Sequence, residues 1–315
     1  METSESHGAG LTHVVRKTII IIRGNAPGKA GVTSNTISLG LLNAISRNER
    51  VLLMENHPNI NNIGNSAISP ELSLSYSRKW KYFAENGLSC MLSKFNQTSR
   101  LSQPIVKNSC IEIYEDKLFY LPMGGNNYEL LEYRLKGLAN TLLNELEDYF
   151  SNIYIDLSST NLESSRIILQ RADMVVVNLY QNNLAISQFI KNFSEIQKKS
   201  FILIGKYDDR SKFTKEYIKK KYSIDSNRIG VVPYNARFMD AYSEGELRDF
   251  LLNINENTKF YRNIKASAEA VWKYANSVEL KLSGMEEYDN SEEMDIGIGI
   301  NSYNGFFPTA AQLAY

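Results

Sequence analysis

Residues 24–36 read GNAPGKAGVTSNT. Glycines, a lysine and hydroxyl side chains at this spacing can hold a phosphate. The glycines let backbone N–H groups approach an anion, a lysine neutralises it, and a serine or threonine hydroxyl reaches it or a metal. The full pattern (glycine, four residues, glycine, lysine, then serine or threonine) is incomplete here, and two registers compete. With Gly28 and Lys29 as the glycine–lysine pair, Ala30 falls where a hydroxyl is needed. With Gly31 as the second glycine, Val32 falls on the lysine position and Thr33 and Ser34 open a helix. The second register fits better, because Thr33 sits at a natural helix start and offers its hydroxyl and its N–H. Lys29 is then the nearest cation. A glycine turn without a ligand is the competing reading of the same residues.

Such a loop works only between a buried strand and a helix, and the surrounding sequence supplies both. Strand-length apolar runs rich in β-branched residues occur at 17–23, 51–55, 117–122, 153–157, 173–179, 200–205 and 229–232. Runs of this kind suit strands buried on both faces. Helical patterns fall between them at 33–46, 83–95, 128–149, 161–170, 183–197 and 211–222, and a longer one spans 254–281. This alternation predicts an α/β, three-layer domain with a central, mostly parallel twisted sheet. Three parts are expected: an N-terminal segment over 1–16, the domain over 17–281 including the last helix, and an acidic then mixed, poorly ordered tail over 282–315.

The chain has 315 residues, with Lys plus Arg equal to Asp plus Glu at 35 each. A net charge of zero leaves no global field to draw it to nucleic acid or anionic lipid. Lys212, Lys215, Lys219, Lys220 and Lys221 lie in a basic stretch, but Phe213, Tyr217, Ile218 and Tyr222 interleave at helical spacing. A surface helix with a solvated lysine face is the expectation, and DNA is not the expected partner. Two cysteines, Cys90 and Cys110, form no disulfide framework. The first residues lack the apolar core of a secretion signal, and no apolar run approaches the ~20 residues of a membrane span. A cytoplasmic protein is expected, peripheral at most to the inner face of a membrane or a cell pole.

Taken in order, these segments resemble the MinD/ParA family of deviant P-loop ATPases, and within it the TadZ-like pilus and secretion assembly proteins. NERVLLMENHP is similar to the family's second strand and the turn after it. YFSNIYIDLSSTNLESSRIILQRADMVVVNLYQNN is similar to its Walker B strand, helix and next strand, and IGVVPYNARFMDAYSEGEL to its late segment. The resemblance covers roughly residues 15 to 250 and lies in collinear order. It implies P-loop architecture, ATP with magnesium as cofactors, a homodimer, and a role in positioning or assembly. It implies nucleotide contacts at Gly28, Lys29, Gly31, Val32, Thr33, Ser34, Pro233 and Tyr234, and magnesium at Thr33 and, through water, at Asp156.

The departures from the family are as informative. Its two loop lysines fall at Pro27 and Val32, its two aspartates after the second strand at Glu55 and His57, and its adenine-reading asparagine at Gly205. The resemblance therefore implies a site that keeps its skeleton and loses catalytic charge. Read from the residues alone, Glu55 and His57 suit a solvated loop equally well, and Asp156 suits a helix cap. Three readings stand: a degenerate nucleotide-binding positioning factor with absent or slow hydrolysis, an ATPase in which Lys29 replaces the missing lysine, and a ligand-free scaffold.

Overall fold

The strand β1, Thr18–Gly24, is TIIIIRG, and all seven residues are buried. A strand of β-branched residues with nothing exposed must be central and covered on both faces. In the computed structural model it is: β1 pairs in parallel with β5 (Asn152–Leu157) on one side and with β6 (Met174–Leu179) on the other. The structure describes residues 17–24, 30–59, 61–69, 86–124, 127–157, 162–192 and 194–286. Eight strands form one sheet in the order β3-β4-β2-β5-β1-β6-β7-β8. The others are β2 (Val51–Asn56), β3 (Ile111–Tyr114), β4 (Leu118–Leu121), β7 (Ser200–Tyr207) and β8 (Ile229–Pro233). Every pairing is parallel except that of β3 with β4.

Side chains alternate across the sheet, and the alternation builds two cores. Ile19 and Ile21 join a cluster with the helices α3 (Gly87–Thr98), α5 (Tyr128–Leu146), α6 (Glu163–Arg171) and α7 (Asn183–Asn192). Ile20 and Ile22 join the opposite cluster. That face is covered by α1 (Val32–Arg47), α2 (Ile63–Ala67), α10 (Ala236–Glu244), α11 (Leu247–Asn253) and α12 (Lys259–Glu286). Between them in the chain lie the short α4 (Gln103–Ser109), α8 (Ser194–Gln197) and α9 (Lys215–Tyr222). Burial of each such isoleucine contributes on the order of 1.5–3 kcal/mol.

The expected sheet is present, with one strand added. β3 has an alternating burial pattern, because it is an edge strand with one face out, and the sequence reading keyed on continuous apolar runs. The helices α2, α4, α10 and α11 were also not anticipated. Each is short, and their apolar residues are too few to show a period. The last helix begins at Lys259 and continues to Glu286, displaced from the expected 254–281. Its apolar face docks on the domain: Phe260, Ile264, Val271 and Ala275 are buried, and the Arg47 guanidinium lies 3.8 Å from the Trp272 ring centroid. The basic stretch forms α9, with Ile218 buried, Lys219 paired to Glu216 and Lys221 donating to Asn183. Among the described residues no helix is long and apolar enough to cross a membrane. Residues 1–16 and most of the expected tail, 287–315, lie outside the described residues.

Candidate functional site

The C-terminal ends of β1, β2 and β5 lie side by side, where parallel α/β sheets receive ligands. Strand register sets the neighbours: Ile22 and Glu55 both sit opposite Asp156. The chain leaves β1 at Gly24 and re-enters the described structure at Ala30. Gly31 then caps α1 with φ +72°, a backbone region that L side chains rarely adopt. Among the described residues no side chain caps this helix start. The first N–H groups of α1 have no intrahelical acceptor, so the start of the helix offers donors and a positive dipole end to an anion. Val32 is half-buried as the first helical residue, and Thr33 and Ser34 are buried behind it. Ser34 Oγ donates back to the Gly31 carbonyl at 3.1 Å. Pro27, Gly28 and Lys29 lie outside the described residues.

Glu55 and His57 are not on a solvated loop. They are 4% and 3% exposed. Glu55 Oε1 accepts from the Tyr120 hydroxyl at 2.6 Å, and Oε2 accepts from the Ile63 N–H at 2.9 Å. Burial lifts the Glu55 carboxyl to about 6 against the pull of these two bonds. His57 Nε2 lies 3.2 Å from Asp156 Oδ2, within ion-pair distance but too poorly aligned to count as a hydrogen bond to that oxygen. His57 Nδ1 accepts weakly from the Asn59 N–H at 3.4 Å, so Nε2 is the nitrogen that carries a proton toward Asp156. Burial pulls the imidazole down, but Asp156 and then Glu55 outweigh it and hold His57 above its ordinary value. The Tyr242 hydroxyl, from α10, lies within hydrogen-bonding reach of Ser66 and Thr33, and burial raises it.

Six elements thus bring polar side chains together in three adjoining groups: Glu55 of β2 with Tyr120 of β4, His57 with Asp156 of β5, and the half-buried Tyr242 of α10 with Ser66 of α2 and Thr33 of α1. A second layer supports them. Asn56 donates to Ser164 at 2.8 Å and to Ser165 at 3.1 Å, tying β2 to α6. Asn35 donates to Asn178 at 2.5 Å, tying α1 to β6. Tyr120, Ser66, Tyr242, Asn35 and Asn178 were not anticipated from sequence. Tyr120 sits inside an apolar strand run, and Tyr242 sits far along the chain in a helix that was itself not anticipated.

The other side of the loop is built differently. Gly205, at the end of β7, lies so close to the Ala30 carbonyl that a Cβ there would collide with it. An asparagine cannot occupy this place while Ala30 keeps its position. Ala30, Gly31, Lys206, Pro233, Tyr234 and Phe238 line a cleft of about 10 Å³, room for about one water. Tyr234 is 61% exposed at its rim.

No protein-family model matches the sequence, and no curated protein matches it. Solved structures do. A ParA family ATPase from Chlorobium tepidum TLS superposes with a TM-score of 0.60 at 13% identity, over 81% of this chain and 98% of that one. The fold is that of the ParA and MinD ATPases. The cell division ATPase MinD of Pyrococcus furiosus gives 0.53 at 16% identity, over 81% of this chain and 98% of that one. A plasmid partition protein from Borrelia burgdorferi B31, bound to AMPPNP, gives 0.50 at 16% identity, over 85% and 99%. At these identities the likeness concerns the fold.

Proposed function

We propose that this chain is a degenerate MinD/ParA-like protein that binds nucleotide, hydrolyses it slowly or not at all, and acts as a positioning or assembly factor. The observation that carries this reading is the buried network. The positions that hold charge for catalysis in the ATPases are here occupied by groups bonded to one another: Glu55 to Tyr120 and Ile63, and His57 against Asp156. Phosphoryl transfer is catalysed mainly by positioning and by charge held around the transferring group. Glu55, bonded on both carboxylate oxygens, and His57, turned toward Asp156, have little left for a phosphate. Loss of one charge-stabilising donor typically costs about 100- to 1000-fold in rate, and Val32 and Pro27 stand where two lysines are expected.

Binding rests on different groups, namely the Gly31 turn and the uncapped start of α1. The AMPPNP-bound neighbour supports nucleotide as the ligand class. The narrow cleft beside Tyr234 favours a second reading, a scaffold that retains only the fold. A thermal melt with and without millimolar ATP separates the two. At ligand near 100 times its dissociation constant, a binder gains about 2.7 kcal/mol. A melt that ATP leaves unmoved at every concentration leaves the scaffold reading.

The TadZ-like resemblance favours a pilus or secretion apparatus as client and a homodimer as the acting form. With Pro27 in place of a lysine that would reach across to a partner, pairing rests on packing and not on nucleotide. Analytical ultracentrifugation reads this: a dimer with or without ATP is expected, and one that forms only with ATP contradicts it.

A further inference from the structure

The fold family implies magnesium at Thr33 and Asp156, and the geometry around these two residues does not suit it. Magnesium demands near-octahedral oxygen ligation at about 2.0–2.1 Å and keeps several of its waters. A carboxylate that reaches the ion through water must hold a water oxygen at hydrogen-bond distance, about 2.7–3.0 Å. At Asp156 Oδ2 that place is taken: His57 Nε2 stands 3.2 Å away, and both side chains are 3% exposed. The second expected donor, the Thr33 hydroxyl, lies within hydrogen-bonding reach of Tyr242. Glu55, the next carboxylate in the sheet, has one bond on each oxygen, to Tyr120 and Ile63. Among the described residues no group of three or more His, Cys, Asp or Glu side chains is placed to hold a metal.

We infer that His57 fills the divalent-metal position of this site, so that the start of α1 accepts a phosphate-bearing ligand without magnesium. The inference rests on the nucleotide reading above only for the identity of the ligand. The exclusion of metal stands on the contact between His57 and Asp156. The Asn59 N–H at Nδ1 favours the Nε2–H tautomer, which turns a proton toward Asp156. Oδ2 has no aligned hydrogen bond of its own, so removal of the ring exposes a buried carboxylate oxygen with a free lone pair. Such an atom, freed from the imidazole, is a competent ligand for a hard cation.

Two measurements test this, and they fail separately. The first is direct metal binding by the full chain without nucleotide, followed as loss of the free Mn²⁺ signal in electron paramagnetic resonance. Wild type is expected to leave the signal unchanged. His57→Asp, which adds a carboxylate beside Asp156, is expected to bind Mn²⁺ saturably, and Asp156→Asn in that background to abolish the binding. His57→Ala serves the same purpose if the added carboxylate prevents folding, which circular dichroism shows. Saturable Mn²⁺ binding by wild type that Asp156→Asn removes overturns the inference. So does a folded His57 variant that stays metal-free.

The second measurement is the ATP melt, repeated with magnesium and with EDTA. An equal shift in both supports the inference. A shift seen only with magnesium overturns it and leaves the nucleotide reading standing. No shift in either condition defeats the nucleotide reading, and the Mn²⁺ titration alone then decides the metal question.

Discussion

The two sides of the loop between β1 and α1 contrast sharply. On the β2–β5 side, Glu55, His57, Tyr120 and Asp156 are buried and held by one another. On the β7–β8 side, Tyr234 is 61% exposed, Lys206 is exposed, and Gly205 leaves room only for the loop's own backbone. The first side has the character of a core and the second that of a surface. A polar group in a core is costly to disturb because its partner is left unsatisfied in low dielectric. A polar group on a surface exchanges its partner for water at little cost. The difference teaches that the ends of neighbouring strands in one sheet can be closed by their own polar partners on one side of a helix start and stay open to solvent on the other.

The largest effect is expected on the buried side. His57→Ala removes the side chain that stands within ion-pair distance of Asp156. Breaking a buried pair by removing one partner costs about 3–5 kcal/mol. Urea unfolding measures it, and a loss below about 0.5 kcal/mol, the range of surface substitutions, would show that the pair is not a stabilising element.

The pH dependence comes next. Glu55 is raised from 4.5 to about 6 in the folded protein. A folded carboxyl that binds its proton more tightly than the unfolded one stabilises at low pH. That contribution, about 2 kcal/mol from the shift, is present below pH 4.5 and lost as pH rises through about 6. His57 is also raised, so its contribution is present below its ordinary value of 6.5 and lost as pH rises above it. Both groups therefore make stability fall with rising pH. Glu55→Gln should flatten the lower part of a stability–pH curve and His57→Gln the upper part. Parallel curves for wild type and both variants would remove the electrostatic account of the network.

The smallest effect on stability is expected on the open side. Tyr234→Ala should change unfolding by less than about 0.5 kcal/mol, yet reduce the shift that ATP produces in a melt. An equally large loss of stability there and at His57 would erase the contrast between the two sides.

Much of the frame was legible in sequence for a simple reason. The sheet's central strands are continuous runs of β-branched residues, and four isoleucines in a row can only sit between two covered faces. The start of α1 was legible because Gly31 and Thr33 mark it. The network was not. Glu55 and Tyr120 are 65 residues apart, and His57 follows β2 while Asp156 lies on β5, strands whose adjacency comes only from the order β4-β2-β5-β1. Glu55 closes a strand run and His57 comes just after it, a setting that in sequence looks like solvent. Their burial follows from α2 and α10, short helices with too few apolar residues to announce a period. A glycine near the end of a buried strand, such as Gly205 in β7, marks a close backbone approach, here to Ala30.

The central claim is that this site holds ATP without turning it over. A single-turnover experiment tests it most directly: excess protein is mixed with γ-labelled ATP, and bound ATP and released phosphate are counted together over hours. The account predicts label retained with the protein as intact ATP, with phosphate release no faster than in a protein-free control. Release near one per second, abolished in Lys29→Ala, would contradict it and make this chain a working ATPase.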